Sequence, residues 1–248
     1  MKNNILFIIN FLTLFFFFNS AAAKNLFIQS EIINIDKKNQ LSIFQNNVVF
    51  QTQDNKTIKS EYAEYDKQNG LIKLRNEVTL IDQNNNIIET EYAEYNENER
   101  QFKSIGQTII KTYNGYVLNG EDIILNKKKA ISNKKTIIKD LDENIIYLDN
   151  FEFLSDENIF KSVGQVKIED KKNNKYEFSQ IYIDTQKKEI LGSDIKAFIN
   201  DDSLKVSPLN KPRIFANTAK INEQKSVYDK SIFTMCNFRE NDKCPPWS

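Results

Sequence analysis

The chain of 248 residues is electrically balanced, with 34 basic and 34 acidic side chains, and it contains no histidine. A net charge of zero argues against a nucleic-acid-binding protein, which would show a basic excess or a basic stripe. The missing histidine excludes Ser-His-Asp and Cys-His catalytic arrangements and histidine-ligated metals. We therefore expect no catalytic residues, no metal site and no bound cofactor.

Residues 1–23 are typical of a secretory signal peptide. A basic start precedes an apolar core from Ile5 to Phe18, and small residues follow up to Ala23. Such a core is too short to span a bilayer comfortably. We predict cleavage after Ala23, and the alternative is an uncleaved membrane anchor.

The mature chain alternates short strand-like runs with turn clusters. The runs are rich in Ile, Val, Tyr, Phe and Thr, and the clusters recur about every 10 to 15 residues. Asn and Gly in the clusters tolerate the positive φ angles of tight hairpin turns. The predicted turns lie at residues 36–39, 54–55, 69–70, 84–86, 114–115, 119–120 and 172–174. This spacing predicts an all-β sandwich, barrel or roll.

A repeat with a spacing of 30 residues supports stacked hairpins. Ser-Glu-Tyr-Ala-Glu-Tyr-Asp at 60–66 recurs as Thr-Glu-Tyr-Ala-Glu-Tyr-Asn at 90–96, and more weakly at 120–126. A second pair of similar segments lies at 102–107 and 160–165. Stacked hairpins bury one continuous apolar interior that no single unit can bury.

The repeat also predicts which side chains face that interior. Residues at i and i+2 of a strand point to the same side of the sheet. They are either ordinary core or the lining of an apolar groove, and we name as lining candidates Val48, Phe50, Val78, Leu80, Ile110 and Ile124.

Near the C-terminus the composition shifts toward that of a loop at residues 201–212, and a strand-like sequence pattern returns at 213–221 and 227–233. We predict one domain at residues 24–234 and a junction tail at 235–248. The tail contains both cysteines of the chain, Cys236 and Cys244. An even pair in an exported protein is most simply a disulfide, and the spacing does not fit a zinc site. Pairing with a separate chain is the alternative.

The hairpin pattern resembles the OstA-like family, which comprises LptA, LptC and the N-terminal domain of the LPS-assembly protein LptD. The resemblance covers about residues 26–234 and is carried by Asn-Val-Val-Phe at 47–50, Ile-Lys-Ser at 58–60, Ala-Glu-Tyr-Asp at 63–66 and Gly70. It implies an open, twisted antiparallel β-jelly roll. It also implies a non-enzymatic role in transporting lipopolysaccharide through the periplasm to the outer membrane, with the acyl chains sheltered in the apolar interior.

The resemblance further implies partners. Members of this family join end to end through edge strands, so the first mature strand is a candidate docking edge for an LptA-like bridge protein, through Leu26, Ile28 and Ile32. The segment from Ser231 to Cys236 and the Cys-Pro-Pro-Trp at 244–247 are similar to the junction between the LptD roll and its outer-membrane barrel. We expect either a fragment of an LptD-type protein or a stand-alone roll. A separate barrel chain with its lipoprotein plug is then a further expected partner.

Three alternatives stay open from the sequence. The first is an LptA- or LptC-like bridge component, and the second is a structural β-repeat protein of the envelope. The third is a glycosidase that uses paired carboxylates, either Glu61 with Glu64 or Glu91 with Glu94. Acidic residues at strand ends are more often solvated, which disfavours the third alternative.

Overall fold

A computed structural model describes residues 27–200, 212–222 and 224–235. These residues form one antiparallel sheet of 18 strands and contain no helix, so the predicted all-β class of stacked hairpins is confirmed. No helix suited to crossing a membrane occurs in these ranges. The strands are β1 Phe27–Gln29, β2 Ile32–Asp36, β3 Leu41–Gln51, β4 Thr57–Asp66, β5 Leu71–Ile81, β6 Ile87–Asn96, β7 Gln101–Lys111, β8 Val117–Glu121, β9 Ile124–Leu125, β10 Lys129–Ser132, β11 Thr136–Lys139, β12 Ile145–Leu148, β13 Phe151–Leu154, β14 Ile159–Glu169, β15 Lys175–Asp184, β16 Glu189–Phe198, β17 Arg213–Ile221 and β18 Ser226–Thr234.

The sheet is a meander in which strands pair with their neighbours along the chain. Four strands of this meander are split into two short pieces: β1 with β2, β8 with β9, β10 with β11, and β12 with β13. Both β1 and β2 pair with β3, and both β8 and β9 pair with β7. The pieces β12 and β13 rejoin on β14, from which β15 to β18 continue.

Local side-chain chemistry forms the turns at both ends of the strands. At one end an Asp or Asn side chain accepts the backbone N–H groups two or three residues later, as at Asp36, Asp66, Asn96 and Asn126. At the other end a Thr hydroxyl or an Asp carboxylate accepts the backbone N–H group four residues later, as at Thr52, Asp82, Thr112, Asp140 and Asp170. These Asx- and Ser/Thr-type turns are the physical basis of much of the 30-residue repeat.

A line of β-bulges and strand breaks crosses the sheet near the middle of each strand. The register shifts at Gln45/Val48 in β3, at Arg75/Val78 in β5 and at Val163/Val166 in β14. The inserted residues have positive φ, namely Asn46, Asn47, Asn76, Glu77, Gly106 and Gly164. The breaks between the paired short pieces continue the same line. A bulge bends its strand, so a row of bulges folds the whole sheet.

Two contacts within single strands show how sharp this bend is. The rings of Phe44 and Phe50, both on β3, lie 6.0 Å apart between centroids. Six residues of straight strand would separate them by about 20 Å. In β7 the hydroxyl of Thr108 donates to the hydroxyl of Ser104 at 2.7 Å, across Gly106. The bend therefore turns the sheet into two wings that face each other across one apolar interior.

Two predicted features are wrong in detail. Residues 119–120, which we expected to form a turn, lie inside β8, where Gly120 is buried and its α-carbon faces the Thr136 hydroxyl. The first mature strand is not continuous, because β1 and β2 are separated at Ser30 and Glu31 by the bend line. Glu31 accepts hydrogen bonds there from Asn46 and Asn47, at 3.3 and 2.6 Å.

Candidate functional site

The apolar interior contains five of the six lining candidates. Val48, Phe50, Val78, Leu80 and Ile110 are 0–7% exposed and belong to one core cluster that runs along the sheet. Cross-strand registers place Phe50 opposite Ile58, Leu80 opposite Ile58 and Ile88, and Ile110 opposite Ile88. The interior is thus a continuous apolar row, and in this structure protein side chains fill it.

The sixth candidate lies on the other face of the sheet. Ile124 pairs with Lys103 on the outer surface and is half-buried, whereas its neighbour Ile123 is fully buried in the interior. The cause is the positive φ of Asp122, which marks the break between β8 and β9 and shifts the alternation of side chains by one residue. The third copy of the repeat therefore continues the interior with Ile123, at the position equivalent to Ala63 and Ala93.

A row of buried hydroxyl groups follows the bend line beside this apolar row. Each of them forms a hydrogen bond with a backbone group or with another hydroxyl. Ser162, for example, donates to the carbonyl of Asn150 at 2.6 Å. The buried members are Ser60, Thr90, Ser104, Thr108, Ser132, Thr136 and Ser162. The interior thus combines the apolar row with a narrow row of hydroxyl groups, and these hydroxyl groups form their hydrogen bonds within the protein.

The interior is open where the sheet begins. In β2, Ile33 and Ile35 are paired with Phe44 and Ser42, so they point to the interior face. They are nevertheless 50% and 64% exposed, because no further strand of the described chain covers them. Ile28 of β1 also faces the interior, opposite Phe50, and packs against the core. We call these three side chains the apolar mouth.

The strand ends of the two wings meet where polar side chains from turns at opposite ends of the strands bond to each other. We call this contact the seam. The Gln53 amide donates to Glu97 and accepts from Arg100, at 3.4 Å in each case. These bonds join the turn after β3 to the turn after β6, at opposite ends of the strands. Tyr65 donates to Glu97 at 2.9 Å, and burial together with this carboxylate raises the pKa of Tyr65 to about 12. The phenol therefore stays a neutral donor at physiological pH.

The residues proposed as a docking edge lie in different environments. Ile28 belongs to the apolar mouth, whereas Ile32 is paired with Gln45 and is exposed on the outer face. Leu26 lies outside the described residues, as do residues 1–23, Cys236 and Cys244. Cleavage after Ala23 and the cysteine pairing therefore stay predictions.

Three of the four acidic residues considered for glycoside hydrolysis have basic or backbone neighbours in the sheet, and Glu94 lies opposite Lys73 and Lys103. Glu61 lies at the bulge of β4, and its carboxylate accepts the backbone N–H of Asn47 at 3.5 Å. Glu64 lies on the outer face opposite Lys73. In the described ranges, no group of three or more acidic or cysteine side chains is arranged to hold a metal ion.

The sequence patterns missed the apolar mouth and the seam. Ile33 and Ile35 alternate like any half-buried strand, and only the register with β3 shows that they extend the interior row. Gln53, Glu97 and Arg100 lie in turns of ordinary polar composition. No local signal could have found their contact, because the bend of the sheet creates it.

No family model matches the chain, and no curated protein matches it. One similar solved structure is described as that of LptH, the LptA-homologous periplasmic component of the lipopolysaccharide transport device of Pseudomonas aeruginosa. It is 12% identical, the match covers 67% of this chain and 80% of that chain, and the TM-score is 0.20. The all-β fold class follows from the strands described above.

Proposed function

We propose that this chain is a non-enzymatic periplasmic carrier domain that binds lipopolysaccharide through its apolar interior during transport to the outer membrane. The observation that carries the proposal is the continuous apolar row ending in an exposed apolar mouth at Ile33 and Ile35. A closed structural core has no need of exposed isoleucines on its interior face. The OstA-like repeat pattern of the sequence supports the same assignment.

The physical basis is the large apolar surface of a multiply acylated lipid. Each methylene removed from water contributes roughly 0.8 kcal/mol, so one chain of ordinary length contributes several kcal/mol. The interior side chains are already buried against each other, so acyl chains must displace these contacts by separating the two wings. Separation at the mouth costs least, because the isoleucines there have the fewest partners. The sugars of the lipid remain in water.

The proposal extends to partners. The unpaired side of β1 and β2 presents backbone groups to which the last strand of an LptA-like bridge protein can add, by β-augmentation. An interior that continues from one protein into the next then requires the mouth to meet the partner's interior. In the LptD-type version of this function, an outer-membrane barrel chain and its lipoprotein plug are further partners, and the domain is associated with the outer membrane.

Site-specific photo-crosslinking tests the interior route. A crosslinker at Phe50, Leu80 or Ile110 is expected to capture lipopolysaccharide in cells, whereas one at Asn85, in the turn after β5, is not. Val49 is the matched control, because it neighbours Phe50 on the same strand but faces outward. Equal capture at interior and outward positions, or capture of proteins alone, would refute the interior route.

Charge placed at the mouth tests entry without disturbing the core. Ile33→Asp and Ile35→Asp are expected to weaken binding of lipid A, since an unpaired charge would lie where acyl chains pass. Ile32→Asp, on the outer face of the same strand, is expected to leave binding unchanged. Fully deacylated lipopolysaccharide is expected not to bind the unaltered chain. Binding of the deacylated molecule as strongly as lipid A would contradict the proposal.

The filled interior favours one other candidate, a structural β-repeat protein of the envelope. For such a protein the same side chains are core and nothing else. The two functions differ in the lipid-binding assay, in which a purely structural roll captures no lipid at Phe50, Leu80 or Ile110 and is insensitive to charge at the mouth.

A further inference from the structure

The chain contains three Asn-Gly dipeptides, and the proposed function uses none of them. They are Asn69-Gly70, Asn114-Gly115 and Asn119-Gly120. The backbone nitrogen of a glycine is unhindered, so it can attack the side-chain carbonyl of the asparagine before it and close a five-membered ring. Ring closure requires the asparagine side chain and the following peptide group to rotate. The structure therefore distinguishes three dipeptides that look alike in the sequence.

Strand pairing on both sides protects the dipeptide at Asn119. This residue lies inside β8, opposite Ile109 of β7 and Ile137 of β11. Gly120 is buried, and the Thr136 side chain packs against it. Rotation about Asn119 would require β8 to separate from two strands, and the opening of a paired inner strand is costly.

Hydrogen bonds hold the dipeptide at Asn69 in the turn after β4. The Asn69 amide donates to the carboxylate of Asp66 at 2.6 Å, and the Asn69 backbone carbonyl accepts the side-chain amide of Asn98 at 3.1 Å. The backbone carbonyl of Gly70 accepts the N–H group of Glu97 at 2.8 Å. A hydrogen bond to a carboxylate is stronger than one between neutral groups. The Asn69 side chain must give up such a bond before the ring can close.

Asn114 is the least restrained of the three asparagines. It lies exposed in the turn between β7 and β8, and its side chain forms no hydrogen bond with any described residue. Gly115 is exposed as well and has a φ of 84°. One neutral bond, from the N–H group of Gly115 to the carbonyl of Thr112 at 2.9 Å, has to open before the nitrogen can attack. Hydrogen bonds in exposed turns open at little cost.

The turn after β5 provides a matched comparison within the same chain. In both turns the N–H group of the fourth residue bonds the carbonyl of the first, and the fourth residue has a positive φ. The third residue is an exposed asparagine in both, Asn84 after β5 and Asn114 after β7. The fourth residue is Asn85 in one turn and Gly115 in the other. The side chain of Asn85 hinders attack by its backbone nitrogen, so Asn84 should be stable.

We propose that Asn114 is a modification site that converts spontaneously to isoaspartate and aspartate. The backbone nitrogen of Gly115 loses its proton to water or hydroxide and attacks Cγ of Asn114, and the side-chain nitrogen leaves as ammonia. Water then opens the succinimide ring at either carbonyl, which gives isoaspartate or aspartate. The net reaction consumes water and releases ammonia, and it needs no enzyme.

The modification changes both the charge and the backbone of this turn. Each product carries a new carboxylate where the chain had a neutral amide. Isoaspartate also adds a carbon atom to the backbone between Asn114 and Gly115. The added atom displaces the Gly115 N–H group from the Thr112 carbonyl, so the end of the β7–β8 hairpin loosens as the protein ages.

Peptide mass spectrometry of the purified full chain, incubated in mildly alkaline buffer, measures conversion at each asparagine. Asn114 should convert about tenfold or more faster than Asn69, because the bond that must open at Asn69 is the stronger one. Asn84 and Asn119 should remain unconverted over the same period. In the chain unfolded in urea, the three Asn-Gly dipeptides should convert at similar rates, since the restraints are then lost.

Gly115→Asn is the matched variant, because it gives this turn the residue that follows Asn84 in the turn after β5. Leu141, whose side-chain end lies closest to Gly115, is exposed and can move aside. The variant should fold and should no longer convert at Asn114. Hydrogen exchange in the turn after β7 should become faster as the unaltered chain ages and should stay constant in the variant.

Three results would overturn the proposal. The first is conversion of Asn69 or Asn119 in the folded chain as fast as that of Asn114. The second is undiminished conversion at Asn114 in Gly115→Asn, and the third is conversion of Asn114 only when the chain is unfolded. None of these measurements involves lipid, so failure here leaves the proposed function untouched.

Discussion

Replacing Ser104 with alanine should destabilise the fold far more than the loss of one surface hydroxyl would. Ser104 lies beside the Gly106 bulge of β7 and has no exposed surface. Its hydroxyl oxygen accepts the backbone N–H of Ile123 at 2.9 Å and the hydroxyl of Thr108 at 2.7 Å. The break between β8 and β9 leaves the Ile123 N–H without a ladder partner, so Ser104 is its hydrogen-bond acceptor.

The stability cost of Ser104→Ala depends on whether Thr108 and Ile123 find another hydrogen-bond acceptor once the hydroxyl is removed. Thr108 keeps a second acceptor, the carbonyl of Gly106 at 3.1 Å. Ile123 is fully buried, and its N–H would be left unsatisfied. An unsatisfied buried donor costs about 1–3 kcal/mol, whereas a typical intramolecular hydrogen bond is worth about 0.5–1.5 kcal/mol net. Thr108→Val removes a hydroxyl but leaves no N–H group unsatisfied. It should therefore lower the free energy of unfolding less than Ser104→Ala does.

Urea unfolding of the two single variants and the double variant measures these costs and the coupling between them. Hydrogen exchange at the amide of Ile123 should accelerate in Ser104→Ala and change little in Thr108→Val. The reasoning is refuted if Ser104→Ala and Thr108→Val cost the same, or if the Ile123 amide remains as protected as in the unaltered chain.

Four further changes have defined outcomes. Phe50→Ala should lower the free energy of unfolding by about 3–5 kcal/mol in urea titrations, because the ring is fully buried and a cavity would remain. Gly192→Ala should cost about 1–3 kcal/mol in the same assay, since a β-carbon there would approach the buried Phe178 ring to 2.5 Å. Burial opposes ionisation of Asp170, but hydrogen bonds from the turn outweigh it and hold its pKa below the ordinary 3.8. Its stabilising contribution is therefore present above pH 3.8 and is lost as the pH falls through the lowered pKa, so Asp170→Asn should flatten the acid limb of the stability curve. Gln53→Ala should accelerate hydrogen exchange in the turns that it joins, and unchanged exchange there would show that the seam is held by other contacts.

Much of the site was accessible from local chemistry. The turns at Asp36, Asp66 and Asp82 form through hydrogen bonds within four residues, so their positions follow from sequence alone. The two-residue alternation then placed Val48 with Phe50 and Val78 with Leu80 on one face. Both inferences hold because the interactions behind them are short in sequence.

The amino-acid sequence by itself determined the all-β class, most of the hairpin turns and five of the six interior positions. The tertiary structure decided where the alternation breaks, and hence that Ile123 rather than Ile124 continues the interior. It also decided that Ile33 and Ile35 form an exposed mouth. The physical reason is that a bulge adds one residue and exchanges the two faces of a strand, and that strand neighbours depend on pairings distant in sequence. Alternation within one strand contains neither piece of information.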